Sequence, residues 1–430
     1  MVARDALKSC IASFFLTSAS ASFFSWGMVN LYIVSYFRLH DPDASVNKAF
    51  WAYCFGLISF GFSESLSPFV CERIGTKKTV LMGGGMLFVG YVLCALSTSM
   101  NMFIFAFSFV VGGGCGFCFI TGINVVARHF DVHRGKAIGV GSSGYGAGYM
   151  GISLLYGLFC NPTNEVPSVV EEGSDIKYFG ADVANNVPYA LVIMAFACLT
   201  LVLIGTILIS PKPLPTKDEE VELLSLNSET EESVFDVLKT ALFWKMYVLL
   251  NIGFFSCLWI NVSFKNFGSI YIKDDHLLTY IGFTGATAAC FSRAAFPFLI
   301  DYFDFFKVNM GALIAIAIVD FSIYYAVASP HLFTCCVVVT LVCMGSQFFP
   351  FAILCMKIYG TTKGPKVFSF LSWATTSCGL IATLYYDLVG VIGFGWSYWL
   401  QGFLILVGLC ISNSLRLQFS NPIKLPNEDK

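Results

Sequence analysis

Charge is what this sequence has least of. Asp, Glu, Lys and Arg make up 12% of its 430 residues, about half the share of a soluble chain. Hydrophobic residues reach 57% and the mean hydropathy is +0.74. That balance excludes a chain of two or three soluble domains and leaves a membrane protein. The net charge of −2 leaves no basic stripe for nucleic acid. There is no Ser/His/Asp set, no metal-ligand spacing and no phosphate loop, so neither an enzyme nor a cofactor is expected. The 16 cysteines fall mostly inside apolar runs, where cysteine acts as a small hydrophobe rather than part of a disulfide framework. One pair, Cys115 and Cys118, has CxxC spacing. It sits in an apolar glycine-rich helix with no second pair or histidine nearby, so packing is its expected role.

What is abundant is apolar runs of membrane-spanning length. At about 20 residues per span, helices are expected near 11–37, 49–70, 79–98, 101–127, 136–160, 187–209, 241–263, 278–300, 308–329, 332–358, 366–388 and 393–416. The Ala-Ser-Ala at 19–21 resembles a cleavage site, but the apolar run continues to Phe37, too long for a signal peptide and long enough to span. The longest hydrophilic stretch, with Pro211, Pro213, Pro215 and the run Asp218-Glu219-Glu220, divides six helices from six. The expected domains are therefore a first half at 1–210, a linker at 211–240 and a second half at 241–430. Most cations, among them Arg73, Lys77, Lys78, Arg134, Lys363 and Lys366, share one face with both termini. By the positive-inside rule that face is cytoplasmic. The opposite face carries Glu165, Glu171, Glu172, Asp175 and Asp182 between helices five and six.

The two halves echo each other. Helix two ends in Pro68-Phe69-Val70-Cys71-Glu72 and helix eight in Pro297-Phe298-Leu299-Ile300-Asp301, as parallel repeats about an axis along the membrane normal would. Four residues before each proline stands an ionisable group, Glu64 in the first half and Arg293 in the second. Arg293 lies roughly 12 Å inside its helix end at 1.5 Å per residue. A guanidinium at that depth needs a wet cavity or a partner, and its planar fork matches a carboxylate bidentately. Glu64 is either a proton-titratable gate group or a structural partner of the cytoplasmic loop. Asp320, in helix nine, has no evident role.

The loop Glu72-Arg73-Ile74-Gly75-Thr76-Lys77-Lys78 resembles the signature loop of the major facilitator superfamily. The stretch from Gly112 through Arg128-His129-Phe130-Asp131 and Arg134-Gly135-Lys136-Ala137 to Gly139, Gly141, Gly144, Gly146 and Gly148 resembles the oxalate/formate antiporter and monocarboxylate transporter branches. Gly139-x-Gly141-x-x-Gly144 also fits a dinucleotide fingerprint, but no strand precedes it; Gly144-x-x-x-Gly148 instead permits close helix approach in lipid. The resemblance implies an all-α fold of twelve membrane helices in two six-helix pseudo-repeats, and Arg293 in the place of the arginine that binds substrate carboxylate. Both branches have a glycine where Pro297 stands. No second cation follows Trp373 in helix eleven, which disfavours a dicarboxylate. No lysine stands in helix one, and position 289 is alanine, so the proton route of monocarboxylate transporters is missing unless Glu64 substitutes.

The expected function is alternating-access carriage of a small monocarboxylate, with a proton or counter-anion as the second partner. Alternatives are a neutral or zwitterionic solute on the same fold, or a non-transporting sensor on a carrier scaffold. Expected substrate contacts are Arg293, Asn30, Trp26, Tyr32, Tyr145, Tyr149, Trp373 and Thr376. Expected gating or proton-coupling groups are Glu64, Asp301, Glu72 and Arg73.

Overall fold

With no water in a bilayer core, backbone groups must pair within their own segment, and a chain this apolar resolves into helices. The computed structural model describes residues 2–41, 44–127, 129–130, 134–163, 165, 167–170, 177–210, 233–272 and 275–420. The expected linker prolines and acidic run, the acids at 171, 172 and 175, and Arg128 and Asp131 lie outside these residues.

The described residues trace twelve helical passages. Span 1 comprises Val2–Phe24 and Trp26–Arg38, broken at Ser25; a continuous run was expected from the apolar sequence. Spans 2 and 3 are Val46–Ile74 and Thr76–Ala95. Span 4 runs as Met100–Phe105, a π-helical turn Ala106–Val111 and Gly112–Ala127. Spans 5 and 6 are Arg134–Cys160 and Val187–Leu208. A short helix, Val234–Val237, precedes span 7, Ala241–Tyr271. Spans 8 and 9 are Asp275–Ile300 and Phe305–Ala326. Span 10 begins as Pro330–Met344, passes a 3-10 turn at Gly345–Gln347 and continues to Gly360. Spans 11 and 12 cover 361–392 and 394–420, parted at Gly393. A two-residue antiparallel ladder, Val169–Val170 with Lys177–Tyr178, lies in the loop after span 5.

The turns follow from local chemistry. Ser45, Ser99, Thr240 and Asp304 each accept a backbone N–H at the start of spans 2, 4, 7 and 9, satisfying donors a helix start leaves open. Gly75, Gly360 and Gly393 take φ of 89°, 75° and 80° where consecutive spans reverse, a backbone region that excludes most side chains.

Among the described residues ten helices are long and apolar enough to cross a membrane on their own; spans 5 and 11 are the two passages outside that set. Those two, equivalent in the repeat, form the seams between halves. Span 5 packs on span 8 and span 11 on span 2. Span 5 is glycine-rich because it is squeezed from two sides. A Cβ at Gly139 would strike the Ala294 backbone of span 8, and one at Gly148 the Ser18 backbone of span 1.

Candidate functional site

The span 5–span 8 seam places Arg293. Ser142 donates to the Arg293 carbonyl at 3.2 Å, and the Cys290 thiol to the Ser143 carbonyl at 3.6 Å. These bonds fix the rotation of span 8 so that the Arg293 guanidinium carbon stands 4.7 Å from the centre of the Tyr145 ring, contributed by the other half. That is cation–π range. Among the described residues no carboxylate lies within ion-pairing distance of Arg293. The side chain is partly accessible inside the bundle, so its donors remain open to a ligand.

Aromatic rings close around this group. Phe24 lies 5.2 Å from Tyr145 and 6.4 Å from Tyr53. Phe119 lies 6.0 Å from Tyr145 and touches Phe348 and Phe349 of span 10. Tyr53 and Tyr149 stand within electrostatic reach of Tyr145, and Tyr149 within reach of Arg293. Two interruptions meet here: Phe24 ends the first piece of span 1, and the turn in span 10 sets Gly345 against the Arg293 backbone. Broken helices within a membrane bundle leave backbone groups open where they line a cavity. The result is one cation ringed by hydroxyls and apolar faces, suited to a small anion with an apolar body.

Of the expected contacts, Arg293, Tyr145 and Tyr149 come together. Asn30 lies half-buried in the second piece of span 1. Trp26 packs on Phe103 and Phe107 of span 4, and Tyr32 stacks on Phe179 at 4.6 Å. Trp373 and Thr376 belong to the other seam, where the Trp373 indole donates to Ser65 at 2.7 Å and Thr376 meets the Leu57 carbonyl at 3.4 Å. Tyr53 went unnoticed in the sequence, whereas Phe24 opens the first-helix stretch that includes Trp26, Asn30 and Tyr32. The one available signal was the pairing of Phe23-Phe24 before Ser25 with an aromatic-rich start to helix two.

The span 2–span 11 seam holds the remaining candidates. Ser65 donates to the Ser369 carbonyl at 3.0 Å. Glu64 beside it is fully buried, and neither carboxyl oxygen has a hydrogen-bond partner among the described residues. At the cytoplasmic end, Glu72 pairs with Lys366 at 2.6 Å, and the Lys366 ammonium also lies over Phe69. Arg73 and Trp373 line a cleft of about 750 Å³ on the outside of this seam, closed by Phe235, Trp244 and Tyr247. Asp301 is half-buried at the end of span 8.

Residues 15–383 match the family model described as Major Facilitator Superfamily. The chain belongs to that superfamily. This facilitator is 22% identical over 480 aligned positions to the apicoplast pyruvate carrier 1 of Toxoplasma gondii, covering 95% of the chain and 87% of the relative. It is 26% identical over 106 residues to human monocarboxylate transporter 14, a match spanning 24% of the chain and 21% of that relative's length. Among solved structures, the proton:xylose symporter XylE has a TM-score of 0.72 at 12% identity, covering 96% of this chain and 95% of its own. The Escherichia coli fucose:proton symporter FucP gives 0.63 at 14%, covering 95% and 98%. The facilitator is thus a multi-pass membrane carrier rather than an enzyme.

Proposed function

We propose that this facilitator carries a small monocarboxylate of the pyruvate or lactate class by alternating access, with Arg293 as the anchor for the carboxylate. The observation that carries the reading is a guanidinium at the meeting of the halves, stacked on Tyr145 and without a carboxylate partner among the described residues. The long match to a pyruvate carrier supports the same class. One fixed positive charge balances one carboxylate; a dianion would leave a second charge uncompensated in low dielectric. Glu64 is proposed as the proton-exchanging group. Buried in the span 2–span 11 seam without a partner, it meets water only when that seam parts. The group facing it from span 11 is the neutral Ser372 hydroxyl; Glu72 and Lys366 lie farther toward the cytoplasmic end.

The test is competition against labelled pyruvate uptake into proteoliposomes. Carboxylates are expected to inhibit, and the matching amides and neutral hexoses to leave uptake unchanged. Equal inhibition by the amides would contradict the anion reading, and inhibition by hexose alone would replace it with a neutral-solute carrier.

A further inference from the structure

Asp320, the acid in span 9 without an evident role, occupies a polar pocket inside the second half. It is fully buried. Ser256 of span 7 donates to its Oδ2 at 2.6 Å, while its Oδ1 has no hydrogen-bond partner. Among the described residues no Lys, Arg or His pairs with it. Tyr385 of span 11 and Tyr398 of span 12 lie within electrostatic reach of Asp320, and Tyr385 also adjoins Gln401. Gln401 is itself fully buried, with both amide atoms unpartnered.

The hydroxyl protons around this carboxyl are already committed. Tyr385 donates to the Ser397 carbonyl at 2.8 Å. Ser263 donates to the Trp259 carbonyl at 2.6 Å, so in its 3.0 Å contact with Tyr398 the tyrosine is the donor. Ser397 donates to the Phe394 carbonyl at 2.7 Å and receives the Trp259 indole at 3.3 Å. What faces Asp320 is therefore rich in oxygen lone pairs and poor in hydroxyl protons, with the buried Cys257 thiol of span 7 also within electrostatic reach. A buried carboxyl in such surroundings is satisfied by a proton or by a bound cation, and hard oxygen donors suit a hard cation. One carboxylate balances a single charge.

We propose that Asp320, Ser256, Tyr385 and Gln401 form a site for a monovalent alkali cation between spans 7, 9, 11 and 12. Occupancy ties span 9, on the outside of the bundle, to spans 7 and 11, which are themselves joined where Asn251 donates to Ser377 at 2.8 Å. The site is independent of the identity of the carried anion.

The experiment measures the unfolding midpoint of the purified full-length carrier in lipid nanodiscs, in sodium chloride against choline chloride at equal ionic strength. A saturable rise of about 4 °C with sodium is expected, of the size specific binding gives. Asp320→Asn, nearly isosteric and neutral, is expected to remove the sodium dependence. Gln401→Leu keeps the carboxylate and is expected to raise the half-saturating sodium concentration about tenfold; it decides the matter if Asp320→Asn does not fold. A parent midpoint equal in sodium and choline, or an undiminished sodium shift in Gln401→Leu, would overturn the site.

Discussion

Arg293 and Tyr145 are best judged by what each replacement keeps. Arg293→Lys keeps a positive charge but loses the planar fork and the stacking surface. Removing a charge-assisted bond of about 1.5–3 kcal/mol weakens substrate binding roughly tenfold to a hundredfold. The lysine variant is expected to fall between parent and Arg293→Ala in concentration-dependent uptake. Tyr145→Phe retains an aromatic face 4.7 Å from the guanidinium, whereas Tyr145→Leu removes it. Cation–π contacts run from about 0.5 to 2 kcal/mol, so the leucine variant is expected to raise the half-saturating substrate concentration severalfold and the phenylalanine variant to raise it less. Equal effects of the two would place the hydroxyl, not the ring, at the centre. At Glu64, glutamine retains the shape but cannot exchange a proton. Glu64→Gln is expected to make uptake insensitive to an imposed pH gradient while leaving binding intact; gradient-driven uptake at the parent rate would remove Glu64 from coupling.

At the scale of elements, the two seams explain why spans 5 and 11 carry so many small and hydroxyl residues. Spans 5 and 11 give up apolar side chains for Gly, Ser and Thr because they press on the opposite half rather than on lipid. Gly146 shows the constraint, since an added Cβ would run into Cys290 of span 8. Gly146→Val is expected to part the span 5–span 8 seam and abolish transport; wild-type uptake by that variant would mean the seam is looser than drawn. The Glu72–Lys366 pair fastens span 2 to span 11 at the cytoplasmic end, with 36% and 19% of the two side chains exposed. Partly screened, it contributes no more than about 1 kcal/mol, enough to shift a two-state equilibrium about fivefold. Glu72→Lys should therefore raise cytoplasmic accessibility of seam residues in thiol-labelling measurements, and the double exchange Glu72→Lys with Lys366→Glu should restore the parent pattern. No restoration would mean that the pair does not hold the seam. Much of this was readable from residue order. Apolar run lengths fix the spans, and the Pro68 and Pro297 segments show the repeat. The break at Ser25 was not readable, because it carries no proline and arises where tertiary packing replaces the regular ladder; the turn at Gly345–Gln347 had a signal in Pro350, which opens the resumed helix and has no N–H to bond back to the Ser346 carbonyl.

For the whole molecule, the sequence suggested one cluster of aromatics around Arg293, and the fold divides them into separate places. Tyr145 and Tyr149 lie at one seam, Trp373 and Thr376 at the other, and Trp26 and Tyr32 in packing within the first half. Local sequence reports which residues are aromatic and which helix holds them, but not the face they turn to the opposite half. That face depends on helix rotation, set here by contacts such as Ser142 with the Arg293 carbonyl. The pseudo-symmetry is accordingly unequal in chemistry, with an acid buried in one seam and a cation open in the other. In the mechanism proposed above, parting one seam wets Glu64 and closing the other surrounds Arg293, as alternating access would require of a proton-linked anion carrier. The most direct test of that account is uptake of labelled pyruvate into proteoliposomes by the parent and by Arg293→Ala reconstituted in equal amounts. The account predicts saturable uptake by the parent and loss of most of it in the variant at substrate concentrations near the parent's half-saturation. Equal saturable uptake by the two would contradict it.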